Sequence, residues 1–226
     1  MSNLIVTIDG PAASGKSTVA RLLAKNLGAS FLDTGAMYRA VTLAAMQAGV
    51  DLKEEELLGV INKTKFQFSI KQGRLAVCID GVDVTEQIRQ PQVTANARYI
   101  ASAPKVRGSL VQMQREFAAK QEKIVTEGRD QGTVAFSDAD VKFYLTAEAG
   151  TRAKRRQAEL RIKGINESLE QIQKSIEERD KSDQSREAGP LKPAEDAIIV
   201  DTTYLNIEEV VAKILDYVNE RCLKKK

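Results

Sequence analysis

The sequence predicts an α/β fold with a parallel five-stranded sheet and helices on both faces, and two observations carry that prediction. Short apolar runs at 4–8, 31–32, 123–126, 141–145 and 197–200 alternate with segments of helical periodicity. Strands separated by such crossovers pair in parallel and are buried on both sides. The first run also leads straight into a loop with glycines at 10 and 15 and then a helix, the order found at the ligand edge of open α/β sheets. A third observation marks an exception. From 65 to 84 the apolar period switches to two, which reads as an inserted lobe with a small antiparallel sheet.

After the first strand, Val19, Leu22, Leu23 and Leu27 stand at helical spacing over 17–27, with Gly28 as the stop. Phe31-Leu32 is a second strand, 36–48 an alanine-rich helix, and Lys53-Glu54-Glu55-Glu56 the start of another. "KFQFSI" and "LAVCID" flank Gly73 as a hairpin, and helices follow at 92–101 and 104–120, the second opening on Pro104. Strands at 123–126 and 141–145 precede a charged stretch, 150–187, which reads as two helices broken near Gly164. A strand at 197–200 and an amphipathic helix at 206–222 complete the chain, with Lys224-Lys225-Lys226 as a solvated tail.

Composition narrows the chemistry. Net charge is +3, so neither nucleic acid nor an anionic membrane is required as a partner. The absence of histidine removes imidazole-activated nucleophiles and most zinc or iron sites. Cys78 and Cys222 have no CxxC partner, which suits a reducing cytoplasmic compartment, and no segment has the length or apolarity of a signal peptide or a membrane span.

The loop Gly10-Pro11-Ala12-Ala13-Ser14-Gly15-Lys16-Ser17-Thr18 matches G-x-x-x-x-G-K-[ST]. Its glycines let successive N–H groups turn toward phosphate oxygens, and the helix that follows adds its positive dipole end. Lys16 supplies a full charge between β- and γ-phosphates, and the Ser17 hydroxyl is a candidate Mg²⁺ ligand. An ordinary glycine turn is the plain alternative, but strand before and helix after is the context the motif requires. The fold is therefore the P-loop NTPase version of the sheet. The loop fixes a nucleotide but not a reaction. Asn62-Lys63-Thr64-Lys65 lacks the acidic residue of a guanine-reading NKxD, and helicase or transporter ATPases are larger. A short chain with an inserted lobe and a charged, easily opened segment suits a kinase for a small acceptor, which must close over two anions and exclude water.

Candidates for a second anion site are "LDTGAMYR" at 32–39, with Thr34 and Arg39, and "TEGRDQGT" at 126–133, with Arg129 and Asp130 at the carboxyl end of a core strand. Arg39 alone reads first as a surface arginine, whereas Arg129-Asp130 is more telling, its plain alternative being an exposed ion pair worth under about 1 kcal/mol. In 150–187, 18 of 38 residues are charged and no aromatic occurs from 145 through 203, so the segment buries little and opens easily. Arg152, Arg155 and Arg156 share a helix face there, as do Arg179, Asp183 and Arg186. Salt-bridge lacing of a solvated helix accounts for that pattern as well as anion binding does. A kinase for another small acceptor is the nearest rival on these residues, and a non-catalytic nucleotide sensor is a further one that the arginine clusters beyond the cradle argue against, since a sensor needs one anion site.

Together, "IDGPAASGKST", "FLDTGAMYRA", "PKVR", "EGRDQGTVAF", "RAKRR", "IEERDKSDQSRE" and "PLKPAEDAIIVDTT", spread from 8 to 203, resemble the bacterial cytidylate kinases. The resemblance implies phosphorylation of CMP and dCMP from ATP with Mg²⁺, by a monomer without nucleic-acid or membrane partners. It implies that Thr34, Arg39, Arg129 and Arg186 hold the acceptor phosphate. Asp183 would take the sugar hydroxyls, Arg179 lie near sugar and phosphate, and Arg107 and Asp130 meet the cytosine. Arg152 and Arg156 would close on the donor phosphates, so that Lys16, Arg129, Arg152, Arg156 and Arg186 carry the catalysis. The expected division is a core of 1–35, 121–149 and 190–226, an acceptor insert at about 36–120 and a lid at about 150–189. Two positions depart from the family pattern: Arg98 stands where a pyrimidine-contacting serine is usual, and Gln131 where an aliphatic residue is usual.

Overall fold

The computed structural model describes residues 4–71, 73–162 and 164–223. The lysine tail at 224–226, the side chain of Cys222 and Gln72 of the expected hairpin turn lie outside the described residues. β1 (Leu4–Asp9) runs through the glycine loop into α1 (Lys16–Leu27), which Gly28 ends in the left-handed conformation at φ +60°. β2 (Ser30–Asp33) passes directly into α2 (Thr34–Ala48), two residues earlier than the alanine-rich stretch predicts. The reason is a cap: the Asp33 carboxylate accepts the Ala36 N–H at 3.0 Å. α3 (Glu54–Lys63) begins on three glutamates, which favour its positive dipole end.

β3 (Phe66–Lys71) and β4 (Arg74–Ile79) form the expected hairpin, with Phe66 opposite Ile79 and Lys71 opposite Arg74. The structure adds a third strand, β5 (Val82–Asp83), on the far side of β4. Asp80 and Gly81 turn the chain between them, with φ +49° and +85°. An Asp-Gly pair with positive φ at both positions is the tight hairpin turn, and "IDG" at 79–81 was its sequence signal. α4 (Pro91–Ser102) and α5 (Pro104–Ala118) each open on a proline, whose missing N–H is harmless in a first helical turn.

β6 (Lys123–Gly128) and β7 (Val141–Thr146) are the next core strands, and one turn of π-helix at 131–135 lies between them. α6 (Ala149–Ile162) and α7 (Leu169–Gln184) follow, separated by more than the single Gly164 suggests. The gap extends to Ser168 because its side chain and that of Gln171 cap the start of α7 reciprocally. Arg186 therefore lies past the end of α7 rather than on it. β8 (Ile198–Asp201) and α8 (Ile207–Leu223) end the described chain.

The large sheet is parallel throughout, in the order β2-β6-β1-β7-β8. Neighbouring strand residues face opposite sides: Ile124 joins a cluster with α2, α3, β4, α4 and α5, and Val125 a second cluster with α1 and α8. The hairpin therefore packs into the same apolar mass as one face of the sheet. A third, small cluster seats α6 and α7 on the glycine loop through Ala12, Ala153, Leu160, Ile172 and Ile176. No helix among the described residues is long and apolar enough to cross a membrane. The carboxyl ends of β1, β2 and β6 meet at one edge, and they carry the glycine loop, Thr34 and Arg129-Asp130 respectively.

Candidate active site

The loop after β1 has the backbone its sequence demands. Gly10 sits at φ +150°, and a Cβ there would collide with the Leu145 carbonyl oxygen, so β7 approaches too closely for any other residue. Ala13 is left-handed at φ +57°, and Gly15 at φ +90° turns the chain into α1. Lys16 is buried, with Nζ donating to the Pro11 carbonyl at 2.6 Å and to Ser14 Oγ at 3.5 Å. Burial pulls its pKa well below the usual lysine value, repulsion from Arg129 lowers it further, and the Glu127 carboxylate partly offsets both. Ser17 and Thr18 are exposed in the first turn of α1, and Ser17 Oγ donates to Glu127 Oε1 at 3.0 Å.

Glu127 also joins the two halves of the site, because its backbone carbonyl accepts the Thr34 hydroxyl at 2.8 Å. Beside Thr34, Arg39 pairs with Asp33 at 3.1 Å while its Nε is buried without a hydrogen-bond partner among the described residues. A buried, unmatched guanidinium N–H is costly unless an acceptor arrives. Arg129 Nε donates to Asp183 Oδ2 at 2.6 Å, and Arg186 pairs with the other oxygen of the same carboxylate. Arg107 and Asp130 form a buried ion pair, and the Arg107 guanidinium lies 5.6 Å from the centre of the Tyr38 ring. Burial raises the Tyr38 phenol to about 12.

Cations outnumber their partners along this cleft. Arg186 has its pKa lowered to about 10, first by desolvation and then by repulsion from Arg107 and Arg129. Arg179 is lowered to about 10 in the same way, by desolvation and then by Arg129 and Arg156, although its side chain still reaches solvent. Crowded guanidinium groups of this kind make the stretch a candidate site for negative charge.

The three arginines of α6 do not act alike. Arg152 is buried, and Nε donates to the Ala147 carbonyl at 2.9 Å and NH1 to the Ala12 carbonyl at 3.1 Å and to Asp180 at 2.5 Å. Arg155 binds Thr202, with NH2 donating to its carbonyl at 2.5 Å and NH1 to its hydroxyl at 2.9 Å. Arg156 points outward to Glu159 at 3.0 Å. The three stand at i, i+3 and i+4 on α6, as expected, but they meet three separate partners.

The two departures resolve differently. Arg98 is exposed, stacked over Tyr99 at 4.9 Å and bonded to its hydroxyl at 3.0 Å. Gln131 turns away from the cleft into a buried polar trio, accepting from Thr126 Oγ1 at 2.8 Å and donating to Gln114 Oε1 at 3.3 Å.

Sequence reading missed Glu127, Asp180 and Asp9. Both oxygens of the buried Asp9 carboxylate accept backbone N–H groups, from Gln131 at 2.9 Å and Gly132 at 2.7 Å, which tie the end of β1 to the loop carrying Arg129 and Asp130. Its position just before Gly10 was the available signal, as was that of Glu127 just before "GRD". Asp180 had no sequence signal that distinguished it from the other charges of α7.

A model of the family described as cytidylate kinase matches residues 6–220 of this chain. A cytidylate kinase of Caldicellulosiruptor saccharolyticus is 45% identical over 217 residues, covering 96% of this chain and 96% of that one. One from Geobacillus sp. (strain WCH70) is 47% identical over 222 residues, covering 97% and 98%. Among solved structures, a gluconokinase from Sinorhizobium meliloti superposes with a TM-score of 0.50 at 14% identity, covering 99% of this chain and 97% of its own, which bears on the fold alone.

Proposed function

The chain belongs to the cytidylate kinase family, and we propose that its cleft seats ATP on the glycine loop and CMP or dCMP on the arginines at the ends of β2, β6 and α7. It transfers the γ-phosphate of ATP to CMP or dCMP, giving ADP and CDP or dCDP. The observation that carries the site assignment is the mutual proximity of Lys16 and Arg129 at the sheet edge with Arg179 and Arg186 from α7 and just past it, together with the buried Nε of Arg39, unpaired among the described residues, at the same end of β2 as Thr34.

On this reading the loop 10–18 wraps the donor phosphates, with Lys16 leaving its Pro11 carbonyl for the β- and γ-oxygens. Thr34, Arg39, Arg129 and Arg186 take the acceptor phosphate. Its oxygen is already ionised near neutral pH, so no general base is needed, and the absence of histidine is no obstacle. What remains is bringing two anions into line and offsetting their repulsion, which positioned cations do. Arg156 and Arg179 approach from the lid side.

Mg²⁺ is a hard ion that takes oxygen ligands, and Ser17 Oγ with the Glu127 carboxylate behind it offers such a set beside the loop. When bound, the ion would neutralise charge on the donor phosphates.

Cytosine presents an amino donor where uracil presents a carbonyl, so the Asp130 carboxylate favours the former, with Arg107 holding it in place. The exposed Arg98 takes no part in base reading, and neither does Gln131. Asp183 accepts from sugar hydroxyls while Arg129 and Arg186 orient it. The test is steady-state phosphorylation of CMP, dCMP, UMP and dTMP side by side with ATP. Preference for the two cytidine acceptors is expected, and equal or better turnover of dTMP overturns the base assignment.

A further inference from the structure

Arg152 stands in the first turn of α6, yet its guanidinium is buried against the glycine loop. NH1 donates to the Ala12 carbonyl at 3.1 Å and to Asp180 Oδ2 at 2.5 Å, while Asp180 Oδ1 accepts the Ala12 N–H at 3.0 Å. The three groups close a ring in which the N–H and the C=O of one residue, Ala12, are both held by a buried ion pair between α6 and α7. We propose that Arg152 and Asp180 are positioning residues that clamp the Ala12 backbone on both sides of its Cα and so fix the shape of the ATP cradle, rather than groups that close on phosphate.

The residue after the clamped one shows why a clamp is useful. Ala13 is left-handed at φ +57° without being glycine, a conformation that persists only where the surroundings enforce it. The other side of the loop has a neighbour too. Arg155 binds Thr202, whose hydroxyl lies 3.0 Å from the Thr146 carbonyl and 3.4 Å from the Ser14 carbonyl and has one proton to share between them. Arg152 thus holds the loop directly at Ala12, while Arg155, one helical turn on, sets Thr202 beside Ser14 on the far side of Ala13. Ala12 also packs with Ala153, Leu160, Ile172 and Ile176, so the same joint is apolar around its ionic centre. Burial strengthens each of these bonds and makes an unmatched partner costly. A guanidinium already bonded to two carbonyls and a carboxylate is a fixed strut, and loosening it should disturb the donor side first.

This inference rests on ATP occupying the cradle, and its test separates the two ideas. Phosphorylation of CMP by the unaltered enzyme tests that reading by itself. For the clamp, ATP binding is measured by calorimetry without acceptor, alongside steady-state kinetics, for Asp180→Asn, Arg152→Lys and the double variant. Each single change is expected to weaken ATP binding about tenfold, the size of one lost hydrogen bond to a charged group. The double variant should be no worse than the weaker single one, because both break the same ring. The KM for CMP should stay within about threefold. Unchanged ATP affinity in Asp180→Asn, or losses that multiply in the double variant, overturns the clamp. So does a fall in turnover for Arg152→Lys with ATP affinity intact. Should a single variant fail to fold, Arg152→Met with Asp180→Leu removes both buried charges together. That protein is held to the same outcome: ATP affinity lost and CMP affinity kept supports the clamp, and ATP affinity kept overturns it.

Discussion

Asp9 is a carboxylate that the fold makes expensive. Burial raises its pKa from 3.8 to about 6, against the opposing pull of the Gln131 and Gly132 N–H groups and Lys16, with Asp130 adding repulsion. The folded state therefore binds this proton more tightly than the unfolded chain does. Stability contributed by the group is present at low pH and declines as pH rises from about 4 through about 6, by about 3 kcal/mol in all. Asp9→Asn should lack that decline, so urea midpoints of the two proteins should diverge in favour of the variant between pH 4 and 7. Parallel pH curves would contradict it. Lys16 is simpler: on the proposed reading it meets the donor's β- and γ-phosphates, so Lys16→Ala should lower turnover 100-fold or more, about the loss of one major transition-state contact. Asp130→Asn keeps the shape of the buried pair but gives uracil a donor. The CMP-to-UMP preference in kcat/KM should fall by about tenfold or more, and an unchanged ratio would remove Asp130 from base reading.

At the scale of elements, the β2–α2 junction does two jobs with one side chain. The two oxygens of Asp33 divide between them, Oδ1 capping α2 through Ala36 and Oδ2 aiming Arg39. Asp33→Ala should cost about 1 kcal/mol of stability through the lost cap, and it should also raise the KM for CMP by freeing Arg39. Thermal unfolding and CMP saturation curves check both, and a loss of stability with normal CMP saturation would reduce Asp33 to a cap. The same junction shows why the start of α2 was misjudged by two residues. Propensity alone favours the alanine run, whereas the cap that starts the helix lies in the preceding strand.

Across the whole molecule, burial is uneven. The sheet is gripped from both sides by large apolar clusters, while α6 and α7 meet the rest through the small one around Ala12. Local opening should follow that difference. Amide exchange in α6 and α7 should be faster than in α1 or β1, and a bisubstrate mimic that bridges cradle and acceptor arginines should slow it. Equal protection of lid and sheet without ligand would contradict this.

Local chemistry settled a good deal from the sequence alone. The apolar runs set the strands, glycines at 10 and 15 set the loop backbone, and "LDTGAMYR" and "TEGRDQGT" marked the candidates for a second anion site, because each depends on residues that are near neighbours in the chain. Tertiary structure decided what depends on distant ones. Only the fold could bring Asp180 to Ala12 and Arg155 to Thr202, point Arg98 outward, and turn Gln131 toward Gln114. Periodicity can say that an arginine lies on a helix. Whether it meets a phosphate, a carbonyl or water depends on which segment packs across from it.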